Sequence, residues 1–406
     1  MPDIIGGEGG LRDFGIGLAQ GAKEPKQLWY QIVEQFEVTP REKRDLRVLC
    51  GFLEELGAHQ SPLLDELLDA ALENEPLGRY FPFLQASVPI TPRGMARLGR
   101  SIELGKVPVE SYSATHLGRA IEVVPAADIA AYITSLALQP QGERVAIHLL
   151  SMQFFGDRQD KRAHAAELVD AGRAILRKLN FARRDEREDY HLHAVVEVCA
   201  SGAEGFAVGQ ALSRNLKQAA VEHRVLGFGH NHLLKALFKV QPKAVLGALL
   251  TGEPKAVAAA VHLIEQAAHL QGNPVDEASE AALFEWCAED PSHRFPAAAA
   301  VVSAFTLTAD QKPAAWTPIA SRLVHSAPDP LAVMQVFVDR LRPMSWSGSR
   351  STLLQTNAAL LAQFDVQNNS GLVAFIDAQK VMLQDEALHE LNWETKIFRD
   401  RDETFE

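Results

Sequence analysis

Cysteine is scarce in this chain. Its 406 residues include three cysteines, Cys50, Cys199 and Cys287, which lie far apart and form no C-x-x-C pair. A disulfide framework or a thiolate metal site needs cysteines at characteristic close spacings, so the sequence predicts neither. A reducing compartment fits this usage best, and we expect a cytoplasmic protein.

Long apolar runs are also absent. No window approaches the roughly 18 apolar residues of a membrane-spanning helix. The start of the chain has no basic segment followed by an apolar core, so we expect neither an export signal nor a membrane anchor. Residues 1–13 are rich in glycine and acidic side chains. This composition predicts a flexible N-terminal segment over residues 1–13.

Acidic residues outnumber basic residues. The chain has 40 lysines and arginines against 52 aspartates and glutamates, a formal net charge of −12. General binding to a nucleic-acid backbone is therefore not expected, since it requires an excess of basic side chains. Apolar residues make up 47% of the chain, enough to bury a large core.

Alternating strand patterns are missing, and helical stripes take their place. Residues 229–270 illustrate the pattern, with proline or glycine at Pro242, Gly252 and Pro254 between three apolar stripes. The stripes are Leu233, Leu234, Leu237 and Phe238; Val245, Leu246, Leu249 and Leu250; and Val257, Val261, Ile264 and Ala268. This spacing predicts short helices with tight corners, none of which buries its apolar face alone.

Similar units recur along the chain roughly every 35 to 45 residues, the range of two-helix repeats. We therefore predict an all-α fold, an α-solenoid of HEAT- or TPR-like helical hairpins. The continuous repeat array is expected over residues 14–400 and a charged C-terminal tail over residues 401–406. Sheet content should be very low.

Two stretches interrupt the regular pattern. Pro76, Pro82, Pro89 and Pro92 follow one another closely among aromatic residues, which predicts an extended corner. Residues 160–189 are the most highly charged, and we expect one long helix with a solvated face, ending in a charged surface loop over residues 183–189.

Nucleotide-binding loops are not present. Gly105-Lys106 is followed by Val107 and has Arg100 at the position of the first glycine, so the phosphate-loop pattern G-x-x-x-x-G-K-[ST] fails. Gly15, Gly17 and Gly21 imitate a dinucleotide loop, but with the spacing G-x-G-x-x-x-G and no preceding strand. A flexible helix start is the better interpretation of these glycines.

Catalytic constellations are equally hard to find. Ser347-Gly348-Ser349 resembles part of a nucleophile elbow, but the flanking glycines of G-x-S-x-G are absent. We assign no catalytic, cofactor-binding or metal-binding residue from the sequence, and expect no enzyme activity.

The 14 histidines include two close pairs, His191 with His193 and His230 with His232. Residues two apart point in divergent directions on a helix, so shared metal ligation needs a turn, which residues 227–229 could supply. Exposed or hydrogen-bonded loop histidines are the expected outcome. The alternative is a helical hydrolase or nucleic-acid-modifying enzyme that uses the neighbourhood of His223, His230 and His232.

One basic cluster is the best candidate surface for an acidic partner: Arg173, Arg177, Lys178, Arg183, Arg184 and Arg187. Asp185, Glu186, Glu188 and Asp189 interrupt it. Because opposite charges alternate so closely, self-paired surface charge is the stronger prediction.

The C-terminal stretch is the most distinctive part of the sequence. It contains Trp346-Ser347-Gly348-Ser349-Arg350, Leu353-Leu354, Trp393-Glu394 and the charged run 399–406 that ends in Phe405-Glu406. Together with residues 14–19, residues 49–53, Gln241-Pro242 and Val245-Leu246, it resembles the C-terminal helical-repeat sensor region of bacterial antiphage STAND NTPases and related large defence proteins.

The resemblance implies a helical array that embraces a viral protein and is attached to a central NTPase and an N-terminal effector such as a nuclease. This chain carries neither a nucleotide loop nor an effector motif, so a detached sensor, a split-gene product and a truncated reading frame are the alternatives. The leading hypothesis is a non-enzymatic module that binds a protein. Its rivals are the helical enzyme above and a plain scaffold in a multiprotein assembly.

Overall fold

The structure is a computed structural model that describes residues 10–59, 61–115, 122–181, 186–308, 313–342, 346, 348–367 and 369–405. Over these residues the protein is almost entirely α-helical, as predicted. The chain divides into two compact units, Met1–Leu179 with Tyr190–Cys199, and Asn180–Asp189 with Ala200–Glu406.

The first unit contains ten helices in its described part and shares an eleventh, α11, with the second unit. They are α1 (Leu11–Gly21), α2 (Pro25–Val38), α3 (Arg47–His59), α4 (Ser61–Glu73), α5 (Glu75–Gly78), α6 (Phe81–Ala86), α7 (Pro92–Leu104), α8 (Ala126–Ala137), α9 (Gly142–Gln159), α10 (Ala166–Lys178) and α11 (Glu186–Cys199). Short 3-10 turns lie at Arg41–Lys43 and Val109–Ala114.

The second unit continues with helix pairs and one small hairpin of strands. Its elements are α12 (Gly205–Val221), α13 (Asn231–Val240), α14 (Pro242–Leu249), α15 (Pro254–Gln271), α16 (Glu280–Ala288), α17 (Pro291–Ala299), β1 (Phe305–Leu307), β2 (Pro313–Trp316), α18 (Pro318–Ser326), α19 (Pro330–Arg340), α20 (Arg350–Leu361) and α21 (Ser370–Phe405). The two strands pair antiparallel, with Thr306 opposite Ala315. Further 3-10 turns lie at Gly227–Gly229 and Pro274–Glu277.

Consecutive helix pairs recur with a regular spacing. The first helices of six successive pairs begin at Ala126, Ala166, Gly205, Pro242, Glu280 and Pro318, which are 37 to 40 residues apart. Hydrogen bonds within each unit span the same distance along the chain. Ser151 bonds with His191, 40 residues away, and Arg322 with Glu280, 42 residues away.

The core includes the predicted stripes of α13 and α14, whereas in the stripe predicted on α15 Ile264 is buried and Val257, Val261 and Ala268 are half-buried. In α2, Trp29, Ile32, Val33 and Phe36 are all buried, and the stripes of α3, α13 and α14 are buried in the same way. Pro242 and Pro254 occupy the first positions of α14 and α15, where the missing backbone N–H has no partner to lose. The predicted helix boundaries in this region are therefore confirmed.

Two glycines allow α1 and α3 to cross closely. A Cβ atom at Gly15 would lie 2.1 Å from the carbonyl oxygen of Val48, and one at Gly51 would lie 2.0 Å from that of Arg12. Gly17 has no such neighbour within 4 Å. The glycines that imitate a nucleotide loop thus lie within a helix, and Gly15 serves helix packing.

The extended corner predicted at the four prolines is found only at Pro89, between α6 and α7, and is wrong for the other three. Pro76 and Pro82 are the second residues of the short helices α5 and α6, and Pro92 is the first residue of α7. Proline is compatible with the first turn of a helix because its missing N–H would lack an intrahelical partner there. Closely spaced prolines here mark successive helix starts.

The single long helix predicted over residues 160–189 is also wrong. The segment contains α10, a break, and the start of α11 at Glu186. Asp189, expected in a charged surface loop, is helical and only 3% exposed. Residues 182–185 lie outside the described part of the chain.

The ends of the described chain are more helical than predicted. α1 begins at Leu11, within the segment expected to be flexible, and the side chain of Leu11 is buried. At the other end α21 continues through Phe405, so the predicted tail has helical backbone over residues 401–405.

Candidate functional site

Two histidines of the enzymatic hypothesis, His230 and His232, lie beside the buried carboxylate of Asp189. Asp189 Oδ2 accepts a hydrogen bond of 3.0 Å from the backbone N–H of His232, and Oδ1 accepts one of 3.2 Å from Leu233. Both donors lie in the first turn of α13, whose N–H groups have no partner within the helix. Asp189 therefore caps α13 from a distant position in the sequence.

His230 completes this capping arrangement. Its Nδ1 lies 4.0 Å from Asp189 Oδ1, and its ring packs edge-on against Phe181 at a centroid distance of 5.7 Å. His230 is buried, whereas His232 and His223 are exposed, and His223 ends α12 with a left-handed φ of 56°. This geometry favours a structural role for His230 in positioning α13.

Metal binding receives no support from the described side chains. Within that part of the molecule, no group of three histidine, cysteine, aspartate or glutamate residues is placed to hold an ion. Burial raises the pKa of Cys50 to about 11 and the pKa values of Cys199 and Cys287 to about 12. At neutral pH these thiols stay protonated, so they are poor nucleophiles and poor ligands.

A second polar cluster, which the sequence did not indicate, joins α9 to α11 in the first unit. Ser151 Oγ lies 3.0 Å from His191 Nδ1, and His191 Nε2 lies 3.2 Å from His148 Nδ1. The two imidazole rings meet edge to face at 4.5 Å between centroids. We refer to Ser151, His191 and His148 as the Ser–His–His cluster.

The donor and acceptor roles in the Ser–His–His cluster follow from the tautomer of His191. If Ser151 donates to Nδ1 of His191, then Nε2 of that ring carries the proton and donates to His148. This order places a hydroxyl, a base and a group that orients the base in one line, as in nucleophilic catalysis. Ser151 is only 4% exposed, so a substrate would need side chains to move.

Exposed apolar side chains flank this cluster. Met152 and Phe155 lie on α9 and Tyr190 lies on α11, where its ring contacts His191 at 5.9 Å between centroids. His148, Met152 and Phe155 follow the i, i+4, i+7 spacing of one helical face. That face, together with the 40-residue spacing to His191, is the only sequence signal that points to the cluster.

The predicted basic cluster is partly described. Arg173 pairs with Asp170 at 3.0 Å and also donates to the carbonyl oxygen of Cys199 at 3.1 Å. This agrees with the prediction of self-paired charge at that position. Arg183 and Arg184 lie outside the described residues, as does the side chain of Arg187.

The residues that carry the C-terminal resemblance are brought together by α20 and α21. Glu394 Oε2 accepts hydrogen bonds from Ser351 Oγ at 2.8 Å and Ser349 Oγ at 2.9 Å, at the N-terminus of α20. Arg350 pairs with Glu390 and lies 4.7 Å from the ring centroid of Trp346. A carboxylate at a helix N-terminus is favourable, so this contact joins the two helices.

α21 also exposes an unusual number of large apolar side chains. They are Val373, Val381, Met382, Leu388, Leu391, Trp393 and Ile397. Its buried side, which includes Leu372, Ile376, Leu383 and Ala387, faces the body of the second unit. By helical spacing the exposed side chains lie on two faces that flank the buried side, Val373, Val381, Leu388 and Leu391 on one and Met382, Trp393 and Ile397 on the other.

No protein family model, curated protein or solved structure matches the chain. Within the described residues, no helix is both long enough and apolar enough to cross a membrane.

Proposed function

We propose that this protein is an α-solenoid of HEAT- or TPR-like helical hairpins that binds another protein. One observation carries the proposal, the recurrence of helix pairs every 37 to 40 residues. Hydrogen bonds between residues about one period apart, such as Gln241 with the carbonyl oxygen of Ala200 at a separation of 41, support it. Repeats that pack on their immediate neighbours produce such bonds.

The ligand is inferred from the C-terminal resemblance. A sensor region of an antiphage protein would bind a viral protein in the bacterial cytoplasm and pass the signal to an NTPase and an effector on another chain. The exposed leucines Leu388 and Leu391, three residues apart on one face of α21, supply a contact surface for that protein.

Small-angle X-ray scattering tests the solenoid. A compact protein of this length has a radius of gyration near about 22 Å, and an open array of repeats should be clearly larger. A value close to the compact figure would contradict the open solenoid and leave the all-α fold intact.

Co-expression tests the ligand. The tagged full chain is expressed with individual phage proteins, and a 1:1 complex with one of them is the expected result by size-exclusion chromatography with light scattering. Leu388→Asp with Leu391→Asp should abolish that complex, and Leu138→Asp, which alters an exposed leucine of the first unit, should preserve it. Complexes with host proteins only would favour the scaffold interpretation.

The Ser–His–His cluster favours a second candidate function, a serine hydrolase. In such a reaction Ser151 Oγ would attack the carbonyl carbon of an ester or amide while His191, oriented by His148, takes the hydroxyl proton. His191 would then give this proton to the alcohol or amine that leaves as its bond to the acyl carbon breaks, and water would hydrolyse the acyl-serine by the same route. A fluorophosphonate probe should then label the protein at Ser151. The label should disappear in Ser151→Ala and His191→Gln, and its absence from the wild type would rule out this function.

A further inference from the structure

A cavity of about 290 Å³ lies between α12 and the connection from α14 to α15. Two basic residues, Arg214 and Lys217, line it from one face of α12. The remaining lining residues are Gln218, Gly247, Ala248, Thr251 and Ala256. The lining thus contains two cations and no carboxylate.

Lys217 is held in place inside this cavity. It is only 9% exposed, and Nζ donates hydrogen bonds to the carbonyl oxygens of Thr251 at 2.7 Å and Ala248 at 3.3 Å. An ammonium group has three protons, so two carbonyl partners leave one donor for a further acceptor. Burial lowers the pKa of Lys217, because the charged form loses solvation without gaining a carboxylate.

Arg214 adds a second, exposed positive charge. In the described part of the chain, neither Arg214 nor Lys217 has an acidic side chain within ion-pair distance. A guanidinium group presents a planar set of donors that matches the oxygens of a phosphate or carboxylate.

The first turn of α15 also adds positive electrostatic potential at the cavity. Ala256 is the third residue of this 18-residue helix, and no side chain caps the helix at Glu253. The N-terminal end of a helix carries partial positive charge. It therefore adds to the field of the two cations at the wall of the cavity.

We propose that this cavity binds a small oxyanion, a phosphate or carboxylate group held between Arg214 and Lys217. The site is separate from the proposed protein-binding function and does not depend on it. The cavity lies near the lower end of small-molecule sites, which span about 300 to 1,000 Å³. It suits an anionic group or a compact metabolite.

Isothermal titration calorimetry on the full chain tests the site, with inorganic phosphate in one arm and acetate in the other. Ionic strength is held constant with sodium chloride, so that general screening does not change. We expect a dissociation constant below about 1 mM in at least one arm, equivalent to about −4 kcal/mol. The arm with the tighter binding identifies the chemistry of the anion.

Variants distinguish this site from weak, general anion binding. Arg214→Gln alters an exposed side chain and should weaken binding about tenfold, and Lys217→Met should abolish it. Arg158→Gln removes an exposed arginine from α9 and should change binding less than about twofold. If neither anion binds at a concentration of about 10 mM, ten times the expected upper limit of the dissociation constant, the proposal is wrong. It is also wrong if Arg158→Gln weakens binding as much as Arg214→Gln.

Discussion

Two pairs of basic residues, each on one helical face, have opposite surroundings. Arg93 and Arg97 of α7 form ion pairs with two carboxylates on α4, and the side chain of Arg97 is only 5% exposed. Its Nη2 lies 2.6 Å from Asp65 Oδ1 and its Nε lies 2.6 Å from Asp69 Oδ1. On α12, Lys217 instead donates to two carbonyl oxygens, and both Arg214 and Lys217 line a cavity.

The basic residues of α7 have carboxylate partners and those of α12 have none, and this difference gives the two pairs different roles. On α7 the carboxylates compensate each guanidinium, so the cluster is complete without a ligand and joins two helices. On α12 two positive charges remain without acidic partners. A buried charge without a partner carries a free-energy penalty, and an anionic ligand would relieve it.

The largest expected effect comes from breaking the paired cluster. Arg97→Met removes the guanidinium from Asp65 and Asp69, and we expect the free energy of unfolding to fall by about 2 to 3 kcal/mol. Urea denaturation measures this loss. Arg93→Met, which alters the more exposed of the two arginines, should lower the free energy of unfolding by less than about 1 kcal/mol. Equal losses in the two variants would contradict the assigned difference in burial.

Acid should weaken the same cluster. Burial raises the pKa of Asp69, but the hydrogen bonds and charges of Arg97 and Arg93 outweigh burial and leave that pKa lowered. When a carboxyl group has a lower pKa in the folded state than its unfolded value of about 3.9, its ionised form stabilises the fold at pH values above that unfolded pKa. This stabilisation is lost as the pH falls through the folded-state pKa. The stability difference between wild type and Asp69→Asn should therefore shrink below about pH 4.

This acid effect should be modest, below about 1 kcal/mol, because solvent screens the half-exposed Asp69. Denaturation curves at pH 6 and at successively lower pH measure it. A constant difference between wild type and Asp69→Asn across that range would show that Asp69 is not stabilised by its arginines.

The titration of Lys217 should make the stability of the fold depend on pH in the alkaline range. Because burial lowers its pKa, the unfolded chain binds the proton more tightly, so stability rises as pH passes from the folded-state pKa toward the unfolded value of about 10.4. Wild type should gain stability relative to Lys217→Met in this alkaline range. Saturating oxyanion should reduce the gain, since an anion favours the charged lysine.

The smallest effect is expected at the unpaired arginine. Arg214→Gln removes no ion pair in the described structure and eases repulsion from Lys217, so the free energy of unfolding should change by less than about 0.5 kcal/mol. Thermal unfolding in chloride and in phosphate measures it. A loss as large as that of Arg97→Met would show that Arg214 has a structural partner and would remove the contrast between the two pairs.

Local helical structure followed directly from the sequence. Pro242 and Pro254 predicted helix starts, and Leu233 and Phe238 predicted a buried face. These features depend on backbone geometry and on apolar spacing over a few residues, both of which a single sequence records. The prolines at positions 76 to 92 misled because proline in a first helical turn resembles proline in a corner.

The polar clusters depended on tertiary structure alone. Ser151 meets His191 at a separation of 40 residues, Asp189 caps α13 at a separation of 43, and Lys217 reaches Thr251 at a separation of 34. The sequence determined that these helices form and which faces they bury. It did not determine which polar residues meet, because a shift of one residue in the register between helices rotates a side chain by about 100° and exchanges its neighbours.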